Sequence, residues 1–276
     1  MATLAQLLAA AELPDSSTPT LDAELLLAHA LGQCRSYLRT WPERQAPAAA
    51  EQAFLALLAR RRQGEPVAYL LGSQGFWDMQ LKVSPATLIP RPETELLVAT
   101  ALELLPNEPA RVLDLGTGSG AIALALAKER PAWQLLGVDV STQALAIAEE
   151  NARQQALPNL RLAQGDWFSN LAGERFELIV SNPPYVASSD AHLQRGDLRF
   201  EPLGALAAGA DGLDAIGRIV ASAPAHLHRG GWLLFEHGFD QGPAVRSLLQ
   251  QAGFGQLQTR ADLAGLDRIT LGHWHV

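Results

Sequence analysis

The sequence contains a single cysteine, Cys34, so no intramolecular disulfide can form and a reducing compartment is the simplest setting. That thiol lies in a helical stretch far from any chemistry-bearing motif, which argues against a nucleophilic role. Nowhere do 18 apolar residues run without a charge, so no membrane-spanning helix is expected. The apolar start, Ala2 to Leu13, has no basic residues ahead of it and is interrupted by Glu12. It reads as an amphipathic helix and not as an export signal, and the expected location is cytoplasmic. Positive charge is also short: 21 Lys and Arg stand against 29 Asp and Glu, a formal charge of -8. A phosphate backbone would repel such a chain, which disfavours nucleic acid as a direct partner. What is abundant is apolar residue, 48% against 18% charged, ample for a globular core over 276 residues. That length suits one α/β domain with an appendage.

The chain divides by pattern into residues 1–71, 72–92 and 93–276. In the first part Leu4, Leu7 and Leu8 fall at helical spacing, followed by Leu21, Leu25, Leu26 and Leu27 after the starter Thr18-Pro19, with Gly32 as the stop. A further helix begins near Pro47 and closes at Gly64, with Arg60, Arg61 and Arg62 at the end where cations suit the helix dipole. The arginine run reads as a solvated helix end or, in the second reading, as a partner-contact patch. Together these segments predict a small helical domain that docks the substrate. From Gly72 the helical period is lost, and Phe76, Met79, Leu81 and Val83 alternate with polar residues, predicting a β-hairpin linker.

Beyond a helix from about Glu93 to Leu105, short apolar runs alternate with helical patterns, which predicts a parallel sheet covered on both faces. The expected strands are Arg111 to Leu115, Trp133 to Val138, Leu160 to Ala163, Leu178 to Ser181 and Trp232 to Glu236. Helices are expected from Gly120 to Glu129, from the cap Ser141 to about Gln155, and from Leu213 to Leu227. Two last strands, Gly255 to Thr259 and Arg268 to Leu271, are joined too closely for a crossover, so one must run antiparallel. The fold class is therefore α/β with a Rossmann-like sheet.

The first chemical motif is Asp114-Leu115-Gly116-Thr117-Gly118-Ser119-Gly120, a strand running through a glycine loop into a helix. Such glycines allow a tight turn and let a ligand approach closer than a Cβ permits. With Ala121 the run also fits the dinucleotide pattern G-x-G-x-x-A, so two cofactor classes compete. A carboxylate at Asp114 opposes a pyrophosphate and suits S-adenosylmethionine, which carries an ammonium and a sulfonium. Asp139, at the end of the next strand, is placed to accept hydrogen bonds from ribose hydroxyls. Trp167, after a third strand, is placed to pack on an adenine, with Asp166 accepting its amino hydrogens; the alternative for Trp167 is core filling.

The second motif, Asn182-Pro183-Pro184-Tyr185, ends the fourth strand. Prolines cannot continue a hydrogen-bonded ladder, so the chain leaves the sheet rigidly with carbonyls exposed at the ligand edge. An NH₂ on a planar group is a poor nucleophile that must be aimed. The side-chain oxygen of Asn182 and the carbonyl of Pro183 can accept its two hydrogens while Tyr185 packs on the plane. The pairs His226/His228 and His273/His275 have H-x-H spacing but no acidic or thiol set beside them, and no metal is expected.

The Asn-Pro-Pro-Tyr run, the glycine loop after Asp114 and the segment Leu88-Ile89-Pro90-Arg91-Pro92-Glu93-Thr94-Glu95 together resemble the HemK/PrmC protein glutamine N5-methyltransferases. Arg199-Phe200-Glu201-Pro202 and Asp262-Leu263-Ala264-Gly265 extend the similarity over nearly the whole chain. The resemblance implies a class I methyltransferase sheet with a helical N-terminal domain. It further implies methyl transfer to the glutamine of the Gly-Gly-Gln loop of class 1 peptide-chain release factors. By position it implies donor contacts from Gly116, Thr117, Gly118, Ser119, Gly120, Asp139, Trp167 and Asn182. It implies that Asn182, Pro183, Pro184 and Tyr185 hold the substrate amide, with Arg91 and Glu93 bordering the pocket. A nucleic-acid amino-methyltransferase shares the Asn-Pro-Pro-Tyr element but should carry a basic recognition surface. A non-catalytic cofactor-binding scaffold is the reading from a different class.

Overall fold

The computed structural model describes residues 2–275 and divides into two compact units: residues 1–73 with 194–200, and residues 74–193 with 201–276, of which Met1 and Val276 lie outside the described residues. The first unit is helical, with α1 (Leu4–Ala9), α2 (Pro19–Leu31), α3 (Arg35–Thr40), α4 (Ala48–Arg62) and α5 (Val67–Leu71). Gly32 ends α2 in the left-handed region, as the sequence pattern predicts, and Thr3 caps α1 in a reciprocal box with Gln6. Leu4, Leu26, Leu27, Leu38, Phe54 and Leu58 form its core. Each such fully buried side chain contributes about 1.5–3 kcal/mol.

The arginine run is a solvated helix end only in part: Arg60 and Arg62 are exposed, whereas Arg61 is turned inward. Arg61, with a side chain only 10% exposed, bridges Asp22 at 2.8 Å and Asp197 at 2.8 Å, while Arg60 pairs with Glu65 and Arg62 donates to the Glu12 carbonyl. The sequence reading missed this because Asp22 and Asp197 lie 39 and 136 residues away. An ion pair of that burial is held by tertiary packing alone.

The hairpin forms as β1 (Ser73–Phe76) and β2 (Met79–Lys82), a sheet of its own. Its Phe76, Met79 and Leu81 are buried in the core of the α/β unit, and the Lys82 backbone exchanges hydrogen bonds with the Asn151 side chain. The pattern from Glu93 resolves into a short 3₁₀ turn, Pro92–Thr94, and α6 (Glu95–Leu104). There follow β3 (Arg111–Leu115), α7 (Ala121–Glu129), β4 (Gln134–Asp139), α8 (Thr142–Gln155), β5 (Leu160–Gln164), β6 (Phe176–Ser181), α9 (Asp214–His226), β7 (Leu227–Glu236), α10 (Gly242–Gln251), β8 (Gly255–Ala261) and β9 (Asp267–His273).

The seven-stranded sheet has the order β5-β4-β3-β6-β7-β9-β8, parallel from β5 through β7 and antiparallel where β9 meets both β7 and β8. Alternate strand residues face opposite layers, since side chains in a strand repeat every two residues. Val112, Leu178, Val180 and Leu234 pack with α6 and α7. Leu113, Ile179, Leu233 and Phe235 pack with α9 and α10. Strand succession runs outward from β3 through β4 to β5 and then returns to β6 on the other side of β3. Ligands of open parallel sheets bind outside the carboxyl ends of the strands at such a reversal.

Candidate active site

At the end of β3 the chain turns through Gly116 and Gly118, both at positive φ (71° and 56°), a conformation that costs a side-chain-bearing residue energy. The Gly116 and Thr117 amides donate to the Val138 carbonyl at 2.8 and 3.0 Å, which ties the loop to the end of β4. There Asp139 accepts the Gly118 amide through Oδ2 at 2.9 Å and the Ser141 amide through Oδ1 at 2.8 Å. Each carboxylate oxygen keeps a second lone pair, and Asp139 lines the cleft. Gly120 has a different use: a Cβ there would lie 2.9 Å from Leu124 Cδ1 and 3.3 Å from the Ala148 Cβ, so its smallness lets α7 close on α8.

Asp114 is fully buried. Its Oδ2 accepts the Thr117 hydroxyl at 2.7 Å and the Ala123 amide at 3.3 Å, and its Oδ1 has no partner. Burial pushes its pKa from 3.8 up to about 7, against the lowering effect of those two donors. The sequence argument from repulsion of a pyrophosphate therefore rests on a group that carries only part of its charge at neutral pH. The geometry gives Asp114 a firmer role, holding the glycine loop in shape from below.

Trp167 follows β5 at positive φ (53°) and lines the cleft, its ring 3.6 Å from where a Cβ on Gly116 would stand. Asp166 also lines the cleft, but its Oδ2 is engaged by Arg218 at 2.8 Å on the surface. Phe168 stacks on His226 at 4.5 Å, and His273 packs on Trp232 at 4.6 Å, so one member of each H-x-H pair is spent in aromatic packing.

The Ser181 hydroxyl donates to the Leu115 carbonyl at 2.7 Å and locks the ends of β3 and β6 together. Immediately beyond, Asn182 projects at the cleft and donates from Nδ2 to Thr94 Oγ1 at 3.2 Å. The Tyr185 hydroxyl donates to Glu236 Oε1 at 3.3 Å, and burial beside that carboxylate holds the phenol far above its ordinary pKa. The Tyr185 carbonyl accepts from Gln241 Nε2 at 3.0 Å. Opposite, Glu201, whose side chain is wholly buried, pairs with Arg91 and accepts the Ile89 amide at 3.0 Å, pinning the segment that forms the cleft wall.

The cleft encloses about 1160 Å³ counting its open mouth. Gly116, Thr117, Gly118, Ser119, Asp139, Trp167, Asn182 and Pro184 line it, whereas Gly120, Pro183 and Tyr185 do not. Sequence reasoning passed over Thr94 and the stretch Pro202, Gly204 and Ala205, which complete the wall. Thr94 lies inside the Ile-Pro-Arg-Pro-Glu-Thr-Glu run, and the Arg-Phe-Glu-Pro run is the available signal for the second stretch. The donor set suits a cationic nucleoside donor: a carboxylate at the ribose position, a glycine cradle, an indole face and an amide. Among the described residues no helix is long and apolar enough to cross a membrane.

Two families match parts of the chain, Methyltransferase small domain over residues 93–197 and PrmC N-terminal domain over residues 4–72. The chain is 58% identical to a release factor glutamine methyltransferase of Pseudomonas aeruginosa, covering 99% of both chains. It is 48% identical to the protein of that name from Escherichia coli, covering 97% of this chain and 96% of the relative. Among solved structures it is similar to the hMettl16 catalytic domain, with TM-score 0.60 and 16% identity over 80% of this chain and 82% of that one. It is also similar to T. Thermophilus RsmC, a 16S rRNA N2 methyltransferase solved with AdoMet and guanosine, with TM-score 0.54 and 22% identity over 74% and 50% of the two chains. These last two likenesses are likenesses of fold.

Proposed function

This chain belongs to the release factor glutamine methyltransferase family, and on that premise we propose how its cleft works. It transfers a methyl group from S-adenosyl-L-methionine to the side-chain amide nitrogen, N5, of a glutamine in a peptide-chain release factor. The substrate glutamine is that of the Gly-Gly-Gln loop in class 1 factors. A translation factor as substrate makes the cytoplasm the place of action.

One observation carries the reading: the glycine loop with Asp139 and the amide of Asn182 line the same cleft at the carboxyl ends of β3, β4 and β6. Gly116, Thr117, Gly118 and Ser119 cradle the donor, Asp139 takes its ribose hydroxyls, and Trp167 faces its adenine. When bound, the donor supplies a methyl group made electrophilic by the sulfonium. The protein's own task is positioning. Asn182 Oδ1 and the Pro183 carbonyl accept the two hydrogens of the glutamine amide, and Pro184 and Tyr185 support its plane, Pro183 and Tyr185 meeting it just outside the lining of the donor cleft, so that the weakly nucleophilic nitrogen points at the methyl carbon. The apolar wall around Ile122 and Pro90 excludes water from the line of attack. Once methylated, the nitrogen sheds a proton that has become far more acidic, and no residue needs to serve as a strong base. The helical unit serves to dock the release factor.

The test is methyl transfer from labelled donor to purified release factor, DNA and rRNA in parallel, with peptide mass spectrometry of the product. Label on nucleic acid, or on a release-factor residue other than the Gly-Gly-Gln glutamine, would overturn the assignment.

A further inference from the structure

Between the Asn-Pro-Pro-Tyr segment and α9 the chain makes an excursion, Val186 to Asp211, whose two flanks pair with each other. The Val186 amide donates to the Leu206 carbonyl at 2.8 Å, the Ala208 amide to the Val186 carbonyl at 2.9 Å and the Ser188 amide to the Gly209 carbonyl at 2.8 Å. Pro202, Gly204 and Ala205, within the excursion, line the cleft. Its neck is closed by a side chain from a third place in the sequence, Gln241, immediately before α10. Gln241 Nε2 donates to the Tyr185 carbonyl at 3.0 Å and to the Asp211 carbonyl at 3.1 Å, and its Oε1 accepts the Gly238 amide at 2.8 Å. A carbonyl can only accept and a backbone N–H can only donate, so these three partners leave the side-chain amide one orientation. Flipped, it would set its oxygen against two carbonyls. Gly238 is fixed in turn: its carbonyl accepts the Gln241 backbone amide at 2.9 Å and Nδ1 of the fully buried His237 at 2.8 Å.

We propose that Gln241 is a positioning residue for methyl transfer: it sets the Tyr185 carbonyl, and through it the stretch that holds the substrate amide. Pro183 and Pro184 have fixed φ and no N–H, so this stretch is a stiff rod located by what grips its ends. At one end the Ser181 hydroxyl holds the Leu115 carbonyl, and at the other Gln241 holds the Tyr185 carbonyl. A shift at Tyr185 is carried back to the Pro183 carbonyl, since the two rings leave little rotation to absorb it. Misplacement of an aiming group by about 1 Å costs on the order of a hundredfold in rate. Gln241 does not itself line the cleft. The cleft wall borne by the same excursion has its own anchor, Glu201, which pairs with Arg91 and accepts the Ile89 amide. Loss of Gln241 therefore disturbs the substrate side of the site and spares the donor side.

This inference rests on the reading of the Asn-Pro-Pro-Tyr segment as the holder of the glutamine amide, and the experiment separates the two. Turnover on intact release factor, calorimetric donor affinity and amide hydrogen exchange are measured for the full chain and for Gln241→Met, Gln241→Glu and Asn182→Ala. Methionine keeps the length and loses all three hydrogen bonds, so kcat falls about tenfold or more while donor Kd stays within about twofold. Glutamate keeps an acceptor for the Gly238 amide but turns an oxygen on the Tyr185 and Asp211 carbonyls, so its kcat falls further than that of methionine. This ordering is the mark of a requirement for the two Nε2 hydrogens, which a side chain that only fills space would not show. It also supplies a second variant should the first fold poorly. In both variants the Val186, Ser188 and Ala208 amides exchange about tenfold faster or more, while those of β3 and β4 keep the parent's rates. Full turnover by Gln241→Met and Gln241→Glu, or a fall in donor affinity as large as the fall in kcat, overturns the proposal. So does parent-like exchange at the three amides. Full turnover by Asn182→Ala overturns the underlying reading and the assigned role of Gln241 with it, whereas full turnover by the Gln241 variants alone leaves that reading in place.

Discussion

Asp139 and Gly118 are joined across the floor of the cleft by a hydrogen bond of 2.9 Å from the glycine amide to the aspartate Oδ2. The same carboxylate that shapes the glycine loop lines the cleft and is the one we propose to take the donor's ribose hydroxyls. Asp139→Ala removes both functions, and donor binding weakens by roughly 1–3 kcal/mol. Calorimetry on the folded variant checks this, and an unchanged donor Kd removes Asp139 from the donor site.

On the proposed reading of the cleft, Asn182→Ala takes away the acceptor that aims the substrate nitrogen. Turnover then falls by about 10² or more, and donor affinity falls less, since Asn182 is one of several proposed donor contacts. A release factor with glutamate in place of the Gly-Gly-Gln glutamine offers no NH₂ and takes up no methyl group, which mass spectrometry of the treated protein reads directly.

Asp114 gives the fold a pH dependence of definite sign. Its pKa is 3.8 ordinarily and about 7 in the folded chain, so the folded state holds this proton more tightly than the unfolded one. The favourable contribution is complete below about pH 4 and is lost as the pH rises to about 7. Asp114→Asn cannot titrate there. Measured by denaturation at each pH, the stability of the parent chain relative to Asp114→Asn falls on the order of 2–4 kcal/mol between those limits. A difference that stays flat or rises contradicts the buried, partly protonated carboxyl.

Gly212, at φ +77°, faces the backbone of Tyr185. A Cβ there would stand 2.1 Å from the Tyr185 carbonyl oxygen and 2.8 Å from Gln241 Nε2, the two atoms whose hydrogen bond clamps the end of the Asn-Pro-Pro-Tyr segment. Gly212→Ala therefore costs about 1–3 kcal/mol in backbone strain and displaces the clamp. Both melting temperature and turnover drop; a variant with the parent's melting temperature shows that the loop yields without cost.

Arg61→Ala leaves Asp22, 5% exposed, without its cationic partner. Breaking a buried pair on one side costs about 3–5 kcal/mol, somewhat less here because the Ser16 and Thr18 hydroxyls still donate to Asp22. Thermal denaturation of the variant shows a lower melting temperature for the helical unit. Arg61→Ala/Asp22→Asn recovers part of the loss, since it removes the stranded charge as well.

The sequence by itself determined the alternation of strands and helices in the α/β unit, because apolar period and turn residues are local signals. The strand starting at Arg111 and the Ser141 cap are where that pattern predicts them, and of the last two strands, one of which had to run antiparallel, it is the final one that does. It also named the cleft's loops, since a parallel sheet delivers every strand's carboxyl end to one edge, and the motifs at Gly116, Asp139, Trp167 and Asn182 each follow a strand. The short helices α3 and α5 escaped it, having too few turns to establish a period; α10 was passed over although Val245, Leu248 and Leu249 fall at helical spacing and pack into the core. Only the tertiary structure decided what stands behind those loops. Thr94 meets Asn182 across 88 residues, Arg91 meets Glu201 across 110, and Arg61 meets Asp197 across 136. No periodicity encodes such pairings: each depends on where the packed core sets two distant backbones, and burial then makes the partner obligatory, because a polar group cut off from water must find its hydrogen bond inside the protein.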